Sequence, residues 1–240
     1  AAQFAQSIAI SYPEAEQYFG GRSNVAYVGN PVRRSIETVA KEGAYEFLKL
    51  DPNTPTILIL GGSQGSQKIN NAVLDALPNL LTKYQVIHQT GEGNYAETIQ
   101  TAQVILGNHQ FKERYKPFPY LNELALRMAG GIASIVVTRA GSGVIFEIAQ
   151  WGVPSIIIPI PETVSRDQQK NAYAYARSGA GEVIDEHNLT PNLLASEIDR
   201  LMTSPSERTT MGEAAKRFSR PEAGRKIAEE LIAIGLSHES

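Results

Sequence analysis

The chain has 240 residues, of which 42% are hydrophobic and 20% are charged. This composition suits an ordinary globular core, either of one large domain or of a domain with a piece of another. The formal net charge of −3 argues against nucleic-acid binding, because domains of that kind are usually strongly basic, and the lack of cysteine excludes disulfides and thiol catalysis.

The sequence gives no sign of a metal site or a membrane span. The histidines His88, His109, His187 and His238 lack metal-ligand spacing, and no Asp-x-Asp motif is present to hold a divalent metal on a diphosphate. No apolar run approaches the roughly 18 residues that a membrane span needs, and no signal peptide is visible. We therefore expect no metal and no cofactor. Because the sequence does not begin with methionine, we also expect a fragment of a longer protein.

Hydrophobic patterning predicts strands and helices in alternation along most of the chain. The predicted strands are Ser7–Ser11, Val25–Val28, Thr56–Leu60, Tyr84–His88, Tyr115–Phe118, Ile135–Thr138, Ser155–Pro159 and Gly181–Ile184. The predicted helices are a turn at Glu14–Tyr18, then Ala40–Leu50, Gln67–Leu81, Tyr95–Ile105, Leu121–Ala129, a helix that ends near Trp151, Gln168–Ser178, Pro191–Thr203, Pro205–Phe218 and Pro221–Ile234. This order predicts an α/β fold: a Rossmann-like parallel sheet with helices on both faces, right-handed connections and a helical C-terminal tail.

The stretch IVVTRAGSGVIFE, from Ile135 to Glu147, predicts a buried strand, a glycine-bearing loop and the first turn of a helix. Gly141 and Gly143 allow a ligand to approach the backbone closely, because neither has a Cβ. The helix N-terminus offers unpaired N–H groups and a positive dipole end, which suit phosphate. Glu147 lies one turn into the helix, where it could reach hydroxyl groups attached to that phosphate.

A second strand, glycine loop and helix follow the same plan around GGSQGS, from Gly61 to Ser66. This unit resembles a dinucleotide-binding turn but lacks its fingerprint, since the next strand, YQVIHQ at residues 84–89, carries no acidic residue. The loop therefore favours a phosphate ligand and argues weakly against NAD. A tight turn with no ligand remains the alternative.

The segment Gly29–Arg34, GNPVRR, predicts a turn, because asparagine before proline disfavours helix. Its adjacent cations Arg33 and Arg34 are either solvated residues of a linker or a phosphate clamp at a domain junction.

Four predicted loops should meet at one edge of the sheet, because ligands of open parallel sheets bind outside the carboxyl ends of the strands. The residues gathered there are Gly61–Ser66, Tyr120–Leu121, Arg139–Glu147 and Asp167–Asn171. Their amide N–H groups suit phosphate, and Glu147, Gln168 and Asn171 suit hydroxyls or a carbonyl. We expect one composite site for a phosphorylated, hydroxyl-rich ligand.

The motifs GGSQGS, TRAGSGVIFEIAQWGVPSIIIPIP, DQQKNA, GNPVR and FSRPEAGRKIAEELI together resemble the C-terminal half of the MurG-type family. These are bacterial lipid-linked peptidoglycan N-acetylglucosaminyltransferases with the two-Rossmann-domain GT-B fold. The likeness covers nearly the whole chain and implies a donor, UDP-N-acetylglucosamine. The resemblance implies donor-binding roles for Arg33, Gly62, Ser63, Gln64, Tyr120, Leu121, Arg139, Ser142, Gly143, Val144, Glu147, Gln168 and Asn171.

The resemblance also implies what each part of this site does. Ser63, the glycines beside it and Arg33 would contact the diphosphate, and Ser142–Glu147 would run beneath the ribose and diphosphate, with Glu147 on ribose hydroxyls. The Leu121 backbone would bind the uracil edge, with Tyr120 beside it. Gln168 and Asn171 would hold sugar hydroxyls.

Two positions depart from the family's pattern. Val144 stands where the family often has threonine, so one hydroxyl near the phosphates is missing, and Asp167 stands where histidine is frequent. Both affect the expected details of donor binding.

The family likeness further implies a division of the chain. Residues 1–30 would be a remnant of an acceptor domain and the junction, residues 31–220 the donor domain, and residues 221–240 a helix returning to the acceptor domain. The catalytic base and the acceptor loop would lie in the absent domain, so no catalytic residue is expected here. We expect the chain to bind donor without transferring sugar, in the cytoplasm, and the parent protein to be peripheral on the inner membrane face.

Other functions remain open on the same scaffold. One is a UDP-N-acetylglucosamine 2-epimerase, for which Glu162 and Asp167 are the candidate carboxylates near the sugar. Another is a non-catalytic nucleotide-sugar-binding subunit that needs a partner chain. The least specific is a phosphate-binding α/β domain.

Overall fold

The structure, a computed structural model, describes residues 4–62 and 65–237, and for Arg166 the backbone alone. The strands are β1 Ile8–Ile10, β2 Val25–Tyr27, β3 Thr56–Leu60, β4 Gln85–Gln89, β5 Tyr115–Phe118, β6 Ala133–Thr138, β7 Ser155–Ile157 and β8 Gly181–Val183. The helices are α1 Ala44–Phe47, α2 Gln67–Leu80, α3 Tyr95–Leu106, α4 Glu123–Ile132, α5 Ser142–Trp151, α6 Arg166–Arg177, α7 Pro191–Met202, α8 Pro205–Phe218 and α9 Ala223–Ser237. Within these described residues, no helix has the length and apolar character to cross a membrane.

Six strands form a fully parallel sheet in the order β5-β4-β3-β6-β7-β8. The chain enters this sheet at β3, moves outward to β5, returns beside β3 as β6, and then moves to the other edge. This confirms the predicted Rossmann-like sheet. The strand order reverses between β3 and β6, and ligands of such sheets bind at that point, beyond the carboxyl ends of the strands.

Both faces of the sheet are covered by helices, which explains the uninterrupted apolar run of β3. Leu58 and Leu60 pack with residues of α4, α5, α6 and α8 in one core. Ile57 and Ile59 point to the opposite face and pack with residues of α2, α3 and α7 in a second core. All five residues of β3 are buried between the two helical layers, so the start of the glycine loop is fixed by the end of this strand.

The first two strands form a separate parallel pair, with Ile8 opposite Val25 and Ile10 opposite Tyr27. The residues between them include a 3-10 helix, Pro13–Phe19, in place of the predicted helical turn. The prediction that this part belongs to a different domain stays a prediction.

Several predicted boundaries were wrong for local backbone reasons. The helix predicted at Ala40–Leu50 shrinks to Ala44–Phe47, because Gly43 and Lys49 both have positive φ, of 70° and 53°, which helical residues cannot adopt. The helix α4 begins at Glu123, because the Asn122 side chain caps it by accepting from the Ala125 amide at 2.9 Å. The strand β7 ends at Ile157, before the residues 158–161 that contain two prolines.

A buried polar network lies beside β4. His88 is fully buried, with Nδ1 3.0 Å from the Tyr115 hydroxyl and Nε2 3.0 Å from Asn70 Oδ1. Asn70 donates its Nδ2 to the Thr90 carbonyl at 3.0 Å, so its Oδ1 must accept. Nε2 of His88 therefore carries the proton, and Tyr115 donates to Nδ1. Burial lowers the pKa of His88 from 6.5 to about 3, so the ring stays neutral in the folded protein.

This network makes folding sensitive to acid. The unfolded histidine binds a proton near pH 6.5 and the folded one only near pH 3, so protonation favours the unfolded state as the pH falls between these values. We expect His88 to lower the free energy of unfolding by up to about 1.4 kcal/mol for each pH unit in that window. Urea denaturation at a series of pH values measures this slope.

The variant His88→Gln, whose amide can bond to the same two partners but does not titrate, should show a shallower loss of stability. The control His109→Gln removes a histidine outside the network and should keep the wild-type slope. Equal slopes for wild type and His88→Gln would contradict this account.

Candidate functional site

The candidate site lies at the carboxyl edge of the sheet, where the loops after β3, β5, β6 and β7 meet. The loop after β3 contains Gly61 and Gly62, and Gly62 has a φ of +87°, a conformation that glycine adopts without strain. Among the described residues, none has an atom within 4 Å of the place that a Cβ on Gly62 would take, so this side of the backbone has room for a ligand. The predicted site residues Ser63 and Gln64 lie outside the described residues.

The loop after β6 leads into α5 without a side-chain cap. The first intrahelical bond there runs from the Ile145 amide to the Gly141 carbonyl at 3.1 Å. The N–H groups of Ser142, Gly143 and Val144 precede it, and no described residue accepts a bond from them. A Cβ on Gly143 would meet no atom of the described residues within 4 Å, so there is space beside the backbone at this position. The sequence-based expectation of an anion-binding helix start therefore has the geometry it needs.

The Ser142 hydroxyl does not replace the hydroxyl that Val144 lacks. The Ser142 oxygen is buried, without a hydrogen-bond partner among the described residues, and lies near the Tyr12 hydroxyl. Burial raises the pKa of Tyr12, and the nearby Ser142 hydroxyl partly offsets this. Tyr12 also packs edge-on against Phe146, with 5.5 Å between ring centroids. Tyr12, which precedes the predicted domain junction, thus contacts the N-terminal part of α5.

Arg33 and Glu147 form an ion pair at the mouth of the site. Arg33 Nε donates to Glu147 Oε1 at 3.0 Å, and the side chains are 46% and 12% exposed. Burial raises the pKa of Glu147, while the bond to Arg33 lowers it. Burial lowers the pKa of the Arg33 guanidinium. The bond to Glu147 and the half-exposed Tyr120 beside Arg33 outweigh this effect and raise the pKa above its usual value. The structure thus brings together three predicted site residues from the junction, the β5 loop and α5.

Gln168 and Asn171 both bind the backbone of Ala140. Gln168 Oε1 accepts from the amides of Ala140 and Ile160, each at 3.2 Å, and Asn171 Nδ2 donates to the Ala140 carbonyl at 3.2 Å. No described residue bonds to Gln168 Nε2 or Asn171 Oδ1. If these side chains hold sugar hydroxyls, Gln168 can donate through Nε2, and Asn171 can accept through Oδ1 or donate the second hydrogen of Nδ2.

Arg139 is engaged in the protein itself. Its guanidinium donates to Ser66 Oγ at 2.6 Å and to the Ile158 carbonyl at 3.2 Å, and forms an ion pair with Glu186. Ser66 is the N-cap of α2 and accepts from the Ile69 amide at 3.3 Å. Arg139 therefore links the loops after β3, β6 and β7 to the residues after β8. The family resemblance had implied that it binds the nucleotide-sugar donor.

Leu121 has less to offer a ligand than the sequence implied. Only 1% of the residue is exposed, and its N–H donates to Gln89 Oε1 at 3.0 Å. Its neighbour Tyr120 is 48% exposed. The uracil contact predicted for the Leu121 backbone stays a prediction, and its amide hydrogen is already bonded.

Sequence reasoning missed Gln89 and Tyr12. Gln89 ends β4 and is 7% exposed, and its bonds to loop backbone place it at the site. The available signal was a polar amide at the last position of a buried strand, directly before a glycine-bearing turn.

A cavity of about 700 Å³ lies away from these amides, between the 3-10 helix at residues 13–19 and α6. From the predicted segment Asp167–Asn171, the residues that line it include Asp167, Lys170 and Asn171. Lys170 and Arg177 bridge it by bonds to Tyr18 and Glu14, at 3.2 and 2.6 Å. Among residues 4–62 and 65–237, no group of three or more histidine, aspartate or glutamate side chains could hold a metal ion.

A Rossmann-like domain with an amide-lined edge for an anionic ligand is the class of protein that this fold and site define. The chain belongs to the family described as the glycosyltransferase family 28 C-terminal domain, whose model matches residues 56–227. The family resemblance seen in the sequence is confirmed.

Two curated relatives carry the name UDP-N-acetylglucosamine–N-acetylmuramyl-(pentapeptide) pyrophosphoryl-undecaprenol N-acetylglucosamine transferase. The one from Acetivibrio thermocellus is 33% identical over 229 residues, which is 95% of this chain and 60% of that protein. The one from Thermodesulfovibrio yellowstonii is 34% identical over 230 residues, again 95% of this chain and 60% of that protein. The chain thus spans about 60% of the length of these hexosyltransferases.

Two solved structures share the fold. Acinetobacter baumannii MurG has a TM-score of 0.70 at 22% identity, covering 95% of this chain and 60% of that one. A Listeria monocytogenes protein, described as a proposed UDP-N-acetylglucosamine 2-epimerase, also has a TM-score of 0.70, at 17% identity, covering 99% of this chain and 61% of that one. Fold likeness alone does not separate the two activities. The names of the more similar curated relatives favour the transferase.

We expect the Arg139–Glu186 ion pair to contribute to the free energy of unfolding. The two side chains are 12% and 15% exposed, so Arg139→Leu leaves the Glu186 carboxylate largely buried without its partner. We expect a loss of about 3 kcal/mol in the free energy of unfolding, measured by urea denaturation.

The double variant Arg139→Leu/Glu186→Gln removes the uncompensated charge and should recover part of that loss. The control Arg225→Leu removes an exposed arginine of α9 that pairs with Glu222 and Glu229, and should change stability by less than about 1 kcal/mol. An Arg139→Leu effect as small as that of the control would show that the pair does not hold the loops.

Proposed function

We propose that this chain is the donor-binding part of an inverting glycosyltransferase that adds N-acetylglucosamine to a lipid-linked peptidoglycan precursor, converting lipid I to lipid II. The proposal rests on three amides at the start of α5 that have no acceptor among the described residues. They follow β6, which lies beside β3 and its glycine loop at the strand-order reversal. The names of the curated relatives give the donor and acceptor classes.

The amides suit the diphosphate of a nucleotide sugar. The N–H groups of Ser142, Gly143 and Val144 point out of the start of a ten-residue helix, whose dipole adds positive potential there. The open backbone at Gly62 lies at the end of the neighbouring strand β3. Arg33 is 46% exposed and bonds to Glu147 through Nε, so the rest of its guanidinium remains as a donor group for a phosphate.

The remaining polar groups suit the two sugars. Glu147 is a hydrogen-bond acceptor for ribose hydroxyls, one turn into α5. Gln168 Nε2 and Asn171 Oδ1 are one donor and one acceptor for the transferred sugar, on adjacent turns of α6.

In the proposed reaction, a hydroxyl oxygen of the acceptor sugar attacks the anomeric carbon of the donor with inversion. The new bond joins that carbon to the acceptor oxygen, the bond from the same carbon to the diphosphate oxygen breaks, and the electron pair leaves with UDP. A base outside this chain takes the acceptor proton. Residues of this chain stabilise the charge that develops on UDP, through the α5 amides and Arg33.

The chain alone is therefore proposed to bind donor but not to transfer sugar. The acceptor domain, with the base, corresponds to the part of the relatives that the chain does not span. In this division residues 1–30 end the acceptor domain, residues 31–220 bind the donor and residues 221–240 return to the acceptor domain. The parent protein would act in the cytoplasm and contact the inner membrane face only through its other domain.

The rival with an observation behind it is a UDP-N-acetylglucosamine 2-epimerase, because a protein described in that way shares the fold equally well. Its candidate carboxylates, Glu162 and Asp167, line the cavity beside Asn171. Incubation with UDP-N-acetylglucosamine and analysis of the sugar product distinguishes the two. Formation of the 2-epimer would favour the epimerase, and unchanged donor would favour a donor-binding domain.

Calorimetric titration tests donor binding directly. We expect UDP-N-acetylglucosamine to bind more tightly than UDP-glucose, with the same affinity in the presence and absence of magnesium. The reason is that backbone amides and Arg33 provide the positive potential for the diphosphate. A folded sample that binds no uridine nucleotide would contradict the proposal.

Glu147→Gln should weaken UDP-N-acetylglucosamine binding by about tenfold, because an acceptor for the ribose hydroxyls loses its charge and its pairing with Arg33. Glu97→Gln, on the exposed face of α3, is the matched control and should leave the affinity unchanged. Equal affinities for these two variants would exclude Glu147 from the site.

A further inference from the structure

Gln89 lies between the two loops that would hold opposite ends of a nucleotide. It ends β4, the strand between β3 and β5 in the sheet. Its Nε2 donates to the Gly62 carbonyl at 3.2 Å, and its Oε1 accepts from the Leu121 amide at 3.0 Å. One side chain thus binds the glycine loop after β3 and the segment after β5.

The orientation of this amide is determined by its partners. The Gly62 carbonyl can only accept and the Leu121 N–H can only donate, so Nε2 must face Gly62 and Oε1 must face Leu121. A side chain that is 7% exposed and satisfied at both ends has little freedom to rotate. The two bonds therefore fix the distance between Gly62 and Leu121.

Each of the two segments also has bonds of its own. The Gly61 amide donates to the Gln89 carbonyl at 3.2 Å, and the Gly65 amide closes a turn on the Gly62 carbonyl at 3.1 Å. On the other side, the Phe118 carbonyl accepts from the Thr90 amide at 2.9 Å. Two of these bonds attach the segments to the backbone at the end of β4, and none involves the Gln89 side chain. Removal of the side chain therefore leaves each segment joined to β4 and takes away the direct restraint between Gly62 and Leu121.

We propose that Gln89 is a positioning residue that sets the spacing between a phosphate subsite at Gly61–Gly62 and a nucleoside subsite at Tyr120–Leu121. This inference rests on the proposed donor-binding function. A ligand that spans both subsites, such as UDP, gains affinity from correct spacing, because binding one end places the other end at its subsite. A ligand that fills one subsite gains nothing from it.

The test compares a spanning ligand with its pieces. UDP, inorganic pyrophosphate and uridine are titrated into the full 240-residue chain by calorimetry, with uridine followed by competition against UDP where its own heat is small. Two variants break the bridge in different ways. Gln89→Leu removes both bonds, and Gln89→Glu keeps the size of the side chain and an acceptor for Leu121 but has no donor for Gly62.

The matched control is Gln85→Leu, at the opposite end of the same strand. Gln85 is 1% exposed and donates to the carbonyls of Asp51 and Thr54, at 2.9 and 2.8 Å, away from the site edge. Its loss should lower thermal stability as much as the loss of Gln89 does, while leaving the ratio of UDP affinity to pyrophosphate affinity unchanged. Circular dichroism and a thermal melt show that every variant is folded.

For Gln89→Leu and Gln89→Glu we expect the ratio of UDP affinity to pyrophosphate affinity to fall by about tenfold, with the affinity for uridine within about threefold of wild type. A merely structural role would weaken all three ligands together, as a loosened fold would, and that outcome overturns the inference. An unchanged ratio in a folded Gln89→Leu variant also overturns it. If wild type binds no UDP, the donor-binding function itself fails, and the two failures are therefore distinct.

Discussion

At the carboxyl edge, the backbone amides and carbonyls of the loops lie beyond the strand pairing and need other hydrogen-bond partners. The geometry of the candidate site depends on which side chains provide them. Strand pairing satisfies the residues of β3 to β8, but their loops leave carbonyls and amides that would be costly to bury alone. Buried or half-buried side chains supply the partners. Gln89 binds Gly62 and Leu121, and Gln168 binds Ala140 and Ile160.

These bonds also connect neighbouring loops, because each of these side chains has partners on two of them. Arg139 extends the same arrangement to Ser66 and to Glu186, beyond β8. The result is an edge whose loops hold one another in place. The three α5 amides have no such partner among the described residues, and they are the groups that an anionic ligand would satisfy.

The hydrogen bonds at this edge distinguish the two arginines, Arg139 and Arg33, that the family resemblance assigned to donor binding. Arg139 has the charge that a phosphate would attract, but its guanidinium is occupied by Ser66, the Ile158 carbonyl and Glu186. Arg33 is the more exposed cation, with a single carboxylate partner in Glu147. Charge alone therefore does not identify the ligand-binding arginine, whereas exposure and the number of existing bonds separate the two.

The same sheet and loops serve proteins with different named activities, as the equal fold likeness to a MurG and to a proposed epimerase shows. What distinguishes a donor domain must then lie in single side chains near the sugar. Under the proposed function these are Gln168 and Asn171, each with one polar atom bonded to the protein and one with no partner among the described residues.

The sequence by itself determined the order of elements, the parallel sheet and the loops that form the site, because hydrophobic periodicity and glycine positions are local signals. It predicted that the loops after β3 and β6 lie at one edge, and the parallel pairing of these two strands places their carboxyl ends side by side. It misjudged the extent of α1, because the positive φ of Gly43 and Lys49 interrupts a segment whose hydrophobic pattern is helical.

Only the tertiary structure decided which polar groups remain for a ligand. Leu121 and Arg139 look available in the sequence, yet Gln89 binds the first, and Ser66 and Glu186 bind the second. Gln89 lies 32 residues from Leu121 in the sequence, and Ser66 lies 73 residues from Arg139. No local pattern encodes such pairings, because they follow from the strand order, which places the ends of distant strands side by side.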